Sequence, residues 1–158
     1  MGKKRTSRIV TFAGIAVIAA IIAFMVSLQV EASKNSEFRK SIDNIAQDTI
    51  SQTQEYQGEE GKWVHKQHDN STMISIIDMY KPKYQALIDR AQALETPDRY
   101  ISARDSLVKS VQSEMDSNDH FRIYLVGGNQ SEYDRSADLL TESLAYSADY
   151  DAAMKAAG

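Results

Sequence analysis

Four basic residues, Lys3, Lys4, Arg5 and Arg8, lead directly into Ile9–Val30, a run without one charged side chain. As a helix rising 1.5 Å per residue, that run spans about 33 Å, enough to cross the hydrocarbon core of a bilayer. It exceeds the roughly 7–15 apolar residues of a cleaved signal peptide. Val30-Glu31-Ala32 leaves cleavage as the alternative. The chain therefore divides into a basic tail over 1–8, a transmembrane anchor over 9–30 and one domain over 31–158.

Charge sets the expected orientation. The tail holds four of the 18 Lys and Arg, and the domain after the anchor carries 14 of them against all 22 acidic residues, a net −8. A basic flank favours the cytoplasmic side. The expectation is a single-pass cell-membrane protein with its N-terminus in the cytoplasm and its C-terminal domain outside. An acidic domain also lacks the clustered Lys and Arg that nucleic acid requires. The chain has no cysteine. Thiol catalysis, iron–sulfur clusters and cysteine-type zinc sites are excluded, and the domain must stand by packing alone.

Beyond the anchor the pattern is helical. Both prolines lie after Tyr80, glycine is scarce, and no period-2 alternation marks a strand. Phe38, Ile42, Ile45, Thr49 and Tyr56 recur at helical spacing, with a stop expected at Gly58-Glu59-Glu60-Gly61. Met73, Ile77, Tyr80, Tyr84, Leu87, Ala91 and Leu94 alternate steps of four and three, the clearest seam in the chain. Pro82 interrupts that seam and predicts a kink near Asp78. The polar stretch His65–Ser71 delays this second helix to about Asp69 or Asn70.

Thr96, Pro97 and Asp98 read as cap, first helical position and dipole partner of a third helix. Its core positions are Ile101, Leu107, Val111, Met115, Phe121 and Leu125, and Gly127-Gly128 ends it. Ser131 with Asp134 reads as a variant capping box for a fourth helix presenting Tyr133, Ala137, Leu140, Leu144, Ala148 and Met154. Short connections force antiparallel neighbours. The predicted fold is all-α: one N-terminal transmembrane helix continuing into an antiparallel up-down-up-down four-helix bundle.

Leu94, Pro97 and Tyr100 make a Leu-x-x-Pro-x-x-Tyr helix start. A glycine loop then leads to a helix with Ala137, Leu139, Leu140, Tyr150 and Ala153. The last two helices thereby resemble small membrane-anchored extracytoplasmic four-helix-bundle proteins. The resemblance implies fold and location and brings no catalytic residue with it.

Candidate chemistry is sparse. His65 and His68, three apart, can share a helical face and a copper or zinc ion. The spacing fixes no third ligand, so the expected reading is a solvated polar stretch without a cofactor. No Glu-x-x-His pair, nucleophile elbow or phosphate loop occurs. The eight tyrosines suit half-buried packing better than a ligand pocket. Asn70-Ser71-Thr72 and Asn129-Gln130-Ser131 fit the glycosylation acceptor pattern, Asn129 being the better placed. Within the anchor, Ala16, Ala20 and Ala23 step along one face and would let another membrane helix approach closely.

The sequence thus leads to a non-catalytic accessory or scaffold subunit whose partners are the membrane and other membrane or envelope proteins. No small-molecule ligand is indicated. The alternative is a sensory ectodomain. With only about eight residues before the anchor, such a sensor would need a partner to carry its signal.

Overall fold

A computed structural model describes residues 36–158, which form four helices: α1 (Ser36–Val64), α2 (Asn70–Gln92), α3 (Ile101–Gly127) and α4 (Gln130–Ala157). A single 3₁₀ turn, Asp98–Tyr100, precedes α3. The described residues are all-helical and antiparallel, as the spacing predicts. Ile9–Val30, with Ala16, Ala20, Ala23 and the basic tail, lies outside the described residues. Among the described residues no helix is long and apolar enough to cross a membrane.

The expected stop at Gly58–Gly61 is not a stop: α1 runs on to Val64. Neither glycine has the positive φ that ends a helix. Packing carries the helix past them. Tyr56 meets the ring of Tyr80 at 5.6 Å and Trp63 meets Phe121 at 5.1 Å. The chain leaves α1 at Lys66, whose φ of 60° takes the left-handed position usually given to glycine. Asp69 then caps α2, its carboxylate accepting from the Thr72 amide at 2.7 Å. That start agrees with the polar stretch before it. α2 is continuous through Pro82.

The seam expected on α1 is the observed one, and so is that of α2 as far as Ala91; Leu94 lies beyond the end of α2 at Gln92 and is only half-buried. Phe38, Ile42, Ile45, Tyr56, Met73, Ile77, Tyr80, Tyr84, Leu87 and Ala91 are all buried. The start of α3 differs. Thr96 does not cap: its hydroxyl donates to the Leu94 carbonyl at 2.9 Å. Pro97 stands before the 3₁₀ turn with extended geometry rather than at a first α-helical position. The turn delivers Tyr100 to the core, ring to ring with Phe38 at 5.1 Å. Ile101 is consequently exposed, and Tyr100 and Ala103 take its place inside.

α3 ends as expected at Gly128, with φ of 68° and its amide donating to Tyr124 O at 2.7 Å. The cap of α4 is Asn129, not Ser131. The Asn129 side-chain oxygen accepts from the Ser131 amide at 3.1 Å and from the Ser131 hydroxyl at 2.9 Å.

The buried face of α4 is also corrected. Leu139, Ser143, Tyr150 and Met154 are buried, while Leu140 and Leu144 are only half-buried and Ala148 is exposed. The cause is a seam of serines. Ser110 donates to the Ser143 carbonyl at 3.0 Å, and Ser117 donates to the Ser136 carbonyl at 2.8 Å. Side chain to backbone bonds across two helices require close approach, and small residues permit it. Placing leucine in that seam would push α3 and α4 apart, so the helix turns Leu140 and Leu144 toward the flank and keeps Leu139 inside. α4 also reaches α1, where the Tyr150 hydroxyl donates to Asp43 at 3.2 Å.

Candidate functional site

The feature of this fold most in need of explanation is a carboxylate inside it. Glu114 of α3 is 6% exposed. Its position follows from helical spacing: Leu107, Val111, Glu114, Asn118, Phe121 and Leu125 form one inward stripe of fours and threes. Two hydroxyls from neighbouring helices hold it. Tyr84 of α2 donates to Oε1 at 2.8 Å, and Thr53 of α1 donates to Oε2 at 2.9 Å. One buried carboxyl therefore ties three helices together.

Burial is the main influence on this group and pushes its carboxyl up to about 7. The Tyr84 and Thr53 bonds pull the other way, and the negative field of Glu60 pushes up again. No cation is among the groups acting on it. Glu60 of α1 keeps some surface, yet desolvation pushes its carboxyl up to about 7 as well. Tyr56 lies in the field of both. Burial first, then Glu60 and Glu114, raise its hydroxyl well above the usual phenol range. Tyr133 of α4 is raised by burial and by Glu60.

Three polar atoms in this part of the bundle have no protein hydrogen-bond partner: Tyr56 Oη, Gln52 Nε2 and Asn118 Nδ2. Gln52 stands one turn before Tyr56, and Asn118 one turn after Glu114. Buried polar groups are normally paired, because an unpaired one costs about 1–3 kcal/mol. The interior between α1 and α3 is thus polar and incompletely satisfied, unlike the apolar layers on either side. Its chemistry is that of a proton-holding site. It offers two carboxyls that share a field, two hydroxyl donors and no ion-pair partner.

The residues singled out by sequence lie elsewhere. His65 falls in the turn after α1 and His68 beyond it, so the two do not share a helix. His68 Nε2 meets Glu59 Oε2 at 2.7 Å. Among the described residues no group of three His, Asp or Glu stands close enough to hold a metal ion. Asn70 is engaged on both sides of its amide: Trp63 Nε1 donates to its oxygen at 2.9 Å, and its nitrogen donates to Leu125 O at 3.1 Å. Asn129 is exposed, with only its oxygen used in the cap.

Of the tyrosines, Tyr84 and Tyr80 pack as the seam implies, and Tyr84 also supplies a bond to Glu114. Tyr124 and Tyr133 join Trp63 and Phe121 in an aromatic cluster at the end that holds the α1–α2 and α3–α4 connections. Val64, Ile123 and Val126 are exposed at that same end.

Apolar spacing alone does not find Glu114, Glu60 or Asn118. A signal is nonetheless present, since Glu114 and Asn118 complete the α3 stripe between Val111 and Phe121. No family model, curated protein or solved structure matches this chain.

Proposed function

We propose that this chain is a membrane-anchored, extracytoplasmic helical bundle that serves as a non-catalytic accessory or scaffold subunit of a membrane or envelope complex. The observation that carries the reading is the basic tail abutting the uncharged run Ile9–Val30, followed by an acidic helical domain. The run anchors the chain with its N-terminus in the cytoplasm. Ala16, Ala20 and Ala23 give the anchor a face that can pack against another membrane helix. The bundle itself supports a binding role over a catalytic one. Its buried carboxyl is held by hydroxyls from two neighbouring helices, an arrangement that ties elements together.

The test is extraction in mild detergent followed by native electrophoresis. The protein should migrate well above its own 17.7 kDa, with different proteins in the same band. Ala16→Leu with Ala20→Leu should loosen that association and leave the bundle folded. Migration as a lone monomer or homodimer across several gentle detergents would exclude the accessory role. The sensory alternative draws support from one observation, the incompletely satisfied polar interior around Glu114.

A further inference from the structure

The four helices are not held equally. α3 and α4 lie close enough for serine hydroxyls of one to reach backbone carbonyls of the other. α1 has no such seam. It packs chiefly along α2, and its polar tie to α3 is Thr53 to Glu114. Next to that tie, α1 contributes Tyr56, with its unpartnered hydroxyl, and Glu60, whose field acts on Glu114. The joint between α1 and α3 is therefore where the interior is most polar and least satisfied.

We propose that Glu114, in the field of Glu60, is a proton-operated latch that sets how firmly α1 is docked on the rest of the bundle. With the proton in place the carboxyl is neutral, and α1 stays seated through Thr53 and its apolar seam. When the proton passes to bulk water, a full negative charge is left between Thr53, Tyr84 and Tyr56. An unpaired buried charge is costly. Moving α1 outward is the shortest way to hydrate it, because α3 is locked to α4. Burial sets the titration near neutrality, so the latch would work within the ordinary range outside a cell.

The titratable neighbours are assignable. From α1, Tyr56 and Glu60 face the site; from α2, Tyr84 does; from α4, Tyr133 lies in the field of Glu60. Two further pairs lie at the connection end, His68 with Glu59 at 2.7 Å and His120 with Glu132 at 2.6 Å. The latch needs no anchor, and so stands apart from the accessory-subunit reading.

Hydrogen exchange on the full chain in mild detergent tests it, at about pH 5.5 and about pH 8.5, after correction for intrinsic rates. Protection across 36–64 should fall about tenfold or more at the higher pH, while 101–157 changes little. In Glu114→Gln the difference should vanish. An equal fall in all four helices, or the same α1 response in Glu114→Gln, would overturn the proposal. Should that variant not fold, carbon-13 NMR of the wild-type glutamate carboxyls decides. The carboxyl assigned to Glu114 must titrate near neutrality, and its titration below about 5.5, whatever Glu60 does, overturns the latch.

Discussion

Glu114 makes stability depend on pH in an unusual direction. In the unfolded chain it titrates near the ordinary 4.5, and in the fold at about 7. Between those values the fold keeps a proton that the unfolded chain has lost. The stabilisation is complete below about 4.5 and disappears as pH rises through about 7. At about 1.4 kcal/mol per pH unit, it amounts to roughly 3 kcal/mol at most for this group. Asp78 works the opposite way. Its bonds to Arg122, at 2.7 and 3.1 Å, hold its carboxyl below the usual value, so its contribution is lost as pH falls. Maximum stability should therefore lie on the acid side of neutrality, and urea midpoints across pH would show it. Glu114→Gln keeps an acceptor for Tyr84 and cannot ionise. It should reduce the loss between about pH 5 and pH 8, leaving the share that Glu60 contributes, and be more stable than wild type at the alkaline end. A wild-type profile that rises from pH 5 to pH 8 would reject the buried neutral carboxyl. Tyr84→Phe removes a bond that favours the charged form, so the titration should move further up.

At the scale of elements, the seams of α1 and α2 were legible because apolar side chains alone mark them. Leu87 belongs to that seam, and Leu87→Ala should cost about 2–5 kcal/mol. The face of α4 was not legible from the same signal, because its contact with α3 is made by serines, which read as surface residues. Their spacing carries the missing information. Ser110 and Ser117 are seven apart, as are Ser136 and Ser143, matching two turns of helix on each side. Ser143→Leu should therefore destabilise by about 1–3 kcal/mol through overpacking. Leu144, half-buried beside it, should tolerate Ala at a smaller cost than Leu87 does. The end of α1 was misplaced for a different reason. Glycine lowers helix propensity by only about 1 kcal/mol, less than Tyr56 and Trp63 return by packing. A Cβ at Gly58 or Gly61 would meet nothing within 4 Å. Gly58→Ala and Gly61→Ala should each stabilise by about 0.5–1 kcal/mol. Lys66→Gly, at the left-handed position, should gain about 1 kcal/mol. Thermal midpoints of the three variants check both statements together.

For the whole bundle, the order of helices was readable from the short connections, which leave antiparallel neighbours as the only economical arrangement. The buried carboxyl was not, because a charged residue within an apolar stripe is ordinarily read as a break in it. The two facts combine in a prediction about cooperativity. Lys34–Gly158 forms one compact unit. Within it the core is continuous, and α1 is closed onto the later helices by Phe38 on Tyr100 and by Tyr150 with Asp43. No disulfide contributes, since the chain lacks cysteine. A chain beginning at Lys34 should then be soluble and mostly helical by circular dichroism. At about pH 5.5 it should unfold in one transition, with far-ultraviolet and tyrosine signals coincident. Raising pH past about 7 weakens the joint between α1 and α3 and leaves the serine seam of α3 and α4 untouched. Ring signals from Tyr56, which lies on α1, should then separate from the helical signal of the rest. Coincident transitions at both pH values would mean that α1 is bound as tightly as the other helices. Separate transitions already present at low pH would mean that the apolar seam between α1 and α2 does not by itself complete the bundle.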